Sequence, residues 1–113
     1  MEYFQIDINE DKWTIYLVED HDDVVIAEGS AAETHFRNKE IHFRRGEITF
    51  LNVKHEMTHA YFGYLYLADT HGIGIEDMEE IVCAFVADRA QKILDASNAV
   101  YNTLKGIRDA SKD

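Results

Sequence analysis

The hydrophobic period of this chain changes once, near Thr49, and that change limits the folds open to it. Before it, Phe4, Ile6 and Ile8 alternate with Gln5, Asp7 and Asn9. A period of two places the apolar set on one face of a β-strand. From about Thr49 to Ala68 no proline occurs and apolar residues fall on most faces, which predicts a helix buried within the domain. Strands first and helices afterwards is the order of an α+β fold.

The turn residues Asn9-Glu10-Asp11-Lys12 precede the β-branched and aromatic segment from Trp13 to Val18, so the first two strands form a hairpin. A third strand is expected at Val24-Val25-Ile26, between the polar cluster ending at Asp23 and the break at Gly29-Ser30. Residues 31–40 give no clear period. Ile41-His42-Phe43 before Arg44-Arg45-Gly46 predicts a short strand with a turn at its end.

The segment from Asp69 to Gly74 stops the first helix. Acidic Glu76 and Asp77 suit the start of a second helix, on which Ile81, Phe85, Ile93, Val100, Leu104 and Ile107 recur. Ser97-Asn98 is a point where that segment could divide, and Gly106 a natural end. The expected architecture is therefore a small antiparallel N-terminal sheet packed on one buried helix and a long C-terminal helix. A chain of 113 residues without a linker has room for one domain, with strands mainly in 1–48 and helices in 49–68 and 75–107.

Eleven basic residues against twenty-two acidic ones give a formal charge of -11, which repels phosphate backbones and anionic lipid at long range. Nucleic acid and membrane surfaces are poor partners for such a chain. No basic segment followed by an apolar stretch occurs near Met1, and no run reaches the length of a membrane span, so a cytoplasmic location is expected. Cys83 is the single cysteine; with Ile81, Val82 and Phe85 around it, it reads as an inert buried thiol.

Chemistry concentrates in His55-Glu56-Met57-Thr58-His59. Four residues along a helix bring both imidazoles to one face, where they can ligate one cation, while Glu56 is turned aside by about a third of a turn. That offset suits a general base. With six histidines in this composition, one accidental occurrence has a chance of roughly three per cent. Burying two unpaired histidines on an apolar helix is costly, and a metal would satisfy them.

A catalytic zinc takes three protein ligands and leaves a fourth position open. Glu79 is the first choice for the third, because its neighbours one turn away, Ile75, Val82 and Cys83, put it on an inward face. Glu80 has the more polar setting; Glu76 and the loop residue His71 are further alternatives. His21, His35 and His42 have no spacing partner, so surface positions or local hydrogen bonds are expected for them.

The motif at His55 to His59 resembles that of the zincin metallopeptidases, and the later acidic helix is similar to the gluzincin branch. In the thermolysin-like pattern the third ligand is a glutamate twenty residues past the second histidine, the place Glu79 holds. The small size and the segment Glu79-Glu80-Ile81-Val82-Cys83-Ala84-Phe85-Val86-Ala87 look like the short ImmA/IrrE-type and phage or prophage metallopeptidases, over roughly residues 36–94. Where that family carries Ala-Asn-x-Phe-Ala this chain departs, and Cys83 stands where the thermolysin-like pattern has a carboxylate.

The resemblance implies a zinc-dependent peptidase. Zinc would lower the pKa of its water to about 7, and Glu56 would take up a proton and pass it to the leaving amine. An extended protein or peptide substrate would lie along an edge strand before the helix, for which Lys39 to Phe43 is the candidate. Two other readings follow from the same residues. One is a zincin-fold binding or inhibitory protein with a structural metal and no proteolysis. The other is an assembly protein forming a homo-oligomer through Val100, Leu104 and Ile107 of the C-terminal helix.

Overall fold

Two strands, Glu2–Ile8 (β1) and Asp11–Val18 (β2), pair in antiparallel register from Glu2 opposite Leu17 to Ile8 opposite Asp11. That register leaves a two-residue loop, Asn9 and Glu10, with φ of 50° and 71°. Positive φ at both positions is the twist a tight hairpin needs, and asparagine tolerates it best. The hairpin foreseen around Asn9 is present. Its Asn9 side chain donates to the Tyr61 carbonyl at 3.3 Å, tying the turn to the first helix. The structure, a computed structural model, describes residues 2–22, 25–66 and 75–110, and the side chains at 63–66, 75, 76, 78 and 79 are outside that description.

The sheet is completed by Ala32–His35 (β3) and Glu40–Arg44 (β4), in the order β1-β2-β4-β3. β4 runs parallel to β2 and antiparallel to β3, so the sheet is mixed and the expected antiparallel arrangement is corrected. The reason lies in burial. Ile41, His42, Phe43 and Arg44 are all buried, a strand that needs cover on both faces and on both edges, whereas every residue of β3 is half-exposed. The β3–β4 hairpin therefore inserts β4 beside β2 and leaves β3 at the edge.

The third strand is also not where the sequence placed it. Val25 and Ile26 lie in a loop, and Val24 is outside the described residues. Ile26 is fully buried, so its hydrophobicity reflects packing rather than pairing. Arg44 shapes this loop. It is 5% exposed, and its guanidinium donates to the carbonyls of Asp20 at 2.5 Å, Ile26 at 3.1 Å, Ala27 at 3.2 Å and Ser30 at 2.7 Å. A planar fork of donors meets several carbonyls at once, which a loop without internal ladder bonds requires.

A short 3-10 turn, Arg45–Glu47, leads into the helix Phe50–Tyr66 (α1). Thr49 caps it: its hydroxyl accepts from Asn52 N at 3.1 Å and its carbonyl from Val53 N at 3.0 Å. One stripe of α1, comprising Val53, Glu56, Met57, Ala60 and Tyr61, is buried against the sheet and the second helix. The opposite stripe, with Leu51, His55 and His59, is exposed. The helix is thus half-buried, not covered on most faces.

The second helix, Ile75–Ala110 (α2), runs unbroken through Ser97-Asn98 and past Gly106. Ser97 is fully buried in line with Ile93, Val100 and Leu104, so a small residue there serves close packing rather than a break. At 1.5 Å per residue such a helix is about 54 Å long, which accounts for the 52 Å long dimension of the molecule. Trp13, Ile15, Ile41, Phe43, Val53, Met57, Val100 and Leu104 form the core between sheet and helices. The fold is α+β, as expected. Val100 and Leu104, which the assembly reading put at a contact with another chain, are buried in this chain's own core, and Ile107 packs against the core edge. Cys83 is exposed, not buried, and Val82, Val86 and Leu94 are exposed with it. Among the described residues no helix is long and apolar enough to cross a membrane.

Candidate metal centre

On the exposed stripe of α1, His55 and His59 stand one turn apart with ring centroids 4.7 Å apart and planes at 81°. Their Nε2 atoms are separated by 3.1 Å. Two nitrogens bound to one zinc at about 2.0–2.1 Å in tetrahedral geometry would be roughly 3.3 Å apart. The pair is already close to the spacing that one ion imposes. The same contact is a hydrogen bond if one nitrogen carries the proton and the other does not.

The side chain of His55 is 66% exposed, so the expected cost of burying these histidines does not arise. The case for a metal rests on the nitrogen spacing instead. Glu56 sits on the buried stripe, 8% exposed. Its Oε2 lies 3.8 Å from His55 Nε2, and its Oε1 accepts a hydrogen bond of 2.8 Å from Thr34 Oγ1 on β3. The carboxylate therefore stands beside the histidine pair, offset as the helical phase foretold.

The expected third ligand, Glu79, has its backbone in α2, and its side chain is outside the described residues, as is that of Glu76; His71 is outside them entirely. Glu80 is exposed, in keeping with a solvated carboxylate. Among the described residues no group of three His, Cys, Asp or Glu side chains is gathered around one point. The two histidines are chemically suited to zinc, and the separation of their Nε2 atoms is close to that of two ligands on one ion.

Two clefts meet at His55. One, of about 380 Å³, runs along α1 between Leu51, Lys54, His55, Thr58, His59 and Phe62. The other, of about 400 Å³, lies between α1 and the start of β3, with Ser30, Ala31 and Ala32 facing Asn52, His55 and Glu56. His55 and Leu51 line both. Lys39 to Phe43 does not offer a free edge, because β4 is paired on both sides; among the described residues the edge strand beside the clefts is β3, paired only with β4. Thr34 was missed in the sequence, since residues 31–40 carry no period and a lone threonine gives no signal of its partner.

The remaining histidines divide. His21 is exposed. His42 is buried, with Nε2 3.1 Å from Glu40 Oε1, and forms part of a row of rings on the outer sheet face: Tyr3 with Tyr16 at 5.6 Å, Tyr16 with His42 at 4.9 Å, and His42 with His35 at 4.9 Å. Local hydrogen bonding thus accounts for Nε2 of His42, while Nδ1 is buried without a hydrogen-bond partner among the described residues and a surface position does not apply. Compared with protein-family models, curated proteins and solved structures, the chain gives no match.

Proposed function

We propose that this chain is a zinc-dependent metallopeptidase of the zincin type, in which His55 and His59 hold the metal and Glu56 is the catalytic base. The observation that carries the reading is the 3.1 Å separation of the two Nε2 atoms with the Glu56 carboxylate oxygen 3.8 Å from one of them. Glu79 is the proposed third ligand. Zinc, when bound, supplies Lewis acidity and lowers the pKa of a coordinated water.

The chain's own residues supply the rest. Glu56 Oε2, on the side of the histidines, takes the proton of the attacking water and delivers it to the leaving nitrogen. The outer edge of β3, the edge strand of the sheet among the described residues, accepts an extended peptide by main-chain hydrogen bonds, leading it across the clefts on either side of His55. The acidic balance of the chain favours a peptide or protein substrate over nucleic acid. We place the activity in the cytoplasm, that of the host if the chain is phage-encoded, with a regulator's exposed segment as the substrate class.

A second reading, a binding or inhibitory protein that keeps zinc for structure, is favoured by one feature: Cys83, which is exposed, stands where a carboxylate would orient a histidine. One experiment separates the two. Metal content is measured in the purified protein, and cleavage of a peptide library is compared between wild type and Glu56→Gln. One zinc per chain, with cleavage lost and zinc kept in Glu56→Gln, supports the peptidase. One zinc and no cleavage by either protein supports the binding module, and no stoichiometric zinc removes both.

A further inference from the structure

A buried carboxylate must be held by hydrogen bonds or be costly to keep. The side chain of Glu56 is 11% exposed, and the two oxygens have different surroundings. Oε1 accepts from Thr34 Oγ1 at 2.8 Å, and the same hydroxyl lies 3.4 Å from the Glu56 carbonyl. Oε2 faces the histidines, 3.8 Å from His55 Nε2. Thr34 pairs with Ile41 in the sheet, so its position is fixed by the β3–β4 ladder and not by α1.

A carboxylate this close to two imidazoles has two available roles. Free to turn, it can join them as a ligand, because oxygen and nitrogen donors suit the same borderline cation. Pinned at one oxygen, it stays beside them and keeps the other oxygen for a proton. We infer that Thr34 is a positioning residue that makes this choice: its hydroxyl anchors Glu56 Oε1 to the edge strand and withholds the carboxylate from the metal. The inference rests on the metallopeptidase reading. It also links the strand proposed to receive substrate to the proposed base, through one hydrogen bond between β3 and α1.

The test uses the full chain and cobalt(II) as the probe. In metal-free protein, Thr34→Val, Glu56→Ala and the double variant are unfolded in urea. The contact predicts that the loss caused by Thr34→Val, about tenfold in the unfolding equilibrium constant, largely disappears when Glu56 is already alanine. Cobalt titration follows. Thr34→Ser, which keeps a hydroxyl, should match wild type in affinity and visible spectrum. Thr34→Val, which frees the carboxylate, should bind cobalt several-fold more tightly with a changed spectrum, and Glu56→Ala should abolish that difference.

No coupling in the metal-free protein would overturn the inference. So would coupling accompanied by identical cobalt affinity and spectrum in Thr34→Val and wild type, which would leave Thr34 as scaffold alone. Wild type that takes up no cobalt sinks the metallopeptidase reading first, and the inference with it; in the two preceding outcomes cobalt still binds, which tells the failures apart.

Discussion

His59 Nε2 stands 3.1 Å from His55 Nε2 across one turn of α1 whose outward stripe faces solvent. Because the side chain of His55 is 66% exposed, neither ring is needed to fill the core. His59→Ala should therefore leave the metal-free protein within about 0.5 kcal/mol of wild type while lowering zinc affinity by at least about 100-fold. Urea denaturation in chelator and a competitive zinc titration measure the two quantities separately. Equal zinc affinity in the variant would put the metal elsewhere.

Arg44 joins the fold to this centre. It holds the loop that leads into β3, and β3 carries Thr34 and one wall of a cleft. Arg44→Lys keeps the charge but not the fork, and takes the guanidinium donor from the buried Ile26 carbonyl and from the part-buried carbonyls of Asp20 and Ser30. A loss of about 1–3 kcal/mol is expected. The checks are the urea midpoint and amide hydrogen exchange in residues 25–35, which should rise well above that of β1 and β2. A uniform rise across the sheet would mean that Arg44 supports global stability without shaping the loop.

These two residues also show what the sequence makes legible. β1, β2 and β4 carry their own signals: alternation, β-branched and aromatic side chains, and turn residues between them. Ala32–His35 carries none, and becomes a strand because β4 beside it needs a partner and Arg44 brings the preceding loop back over the sheet. The parallel pairing of β2 with β4 is likewise a property of the assembled sheet. The histidine spacing is local and could be read from the helical repeat. Exposure of the histidines could not, since it depends on which stripe of α1 the sheet covers. Ser97 misled as a helix break because polarity in the sequence hides that a small side chain fits a crowded face.

Gly46 and Gly106 should respond to alanine in opposite directions. A Cβ at Gly106 meets nothing within 4 Å, and the residue is inside α2, so Gly106→Ala should stabilise by about 0.5–1 kcal/mol. A Cβ at Gly46 would lie 2.8 Å from Asp20 Oδ2, and the Gly46 amide donates to Asp20 Oδ1 at 2.6 Å. Moving that carboxylate costs its hydrogen bond, so Gly46→Ala should destabilise by about 1 kcal/mol. Thermal unfolding of both variants checks the signs, and destabilisation by Gly106→Ala would mean the helix ends before that residue.

Tyr61 provides a prediction in pH. It is 6% exposed on the buried stripe of α1, and burial raises its phenol above the ordinary value of 10.0, while the positive charge of Arg89 acts against the shift. The raised value means that, just above pH 10.0, the unfolded chain has lost this proton and the folded chain retains it. Folded protein then binds more protons, so stability falls as pH rises. Below that window both states are neutral and the group contributes no pH dependence. Urea midpoints of wild type and Tyr61→Phe, followed from about pH 8 to about pH 11, should run parallel at first. Wild type should then decline more steeply, because phenylalanine has no proton to lose. Curves that stay parallel to the top of the range would show that Tyr61 ionises equally in both states, and that the interior around α1 is wetter than its burial implies.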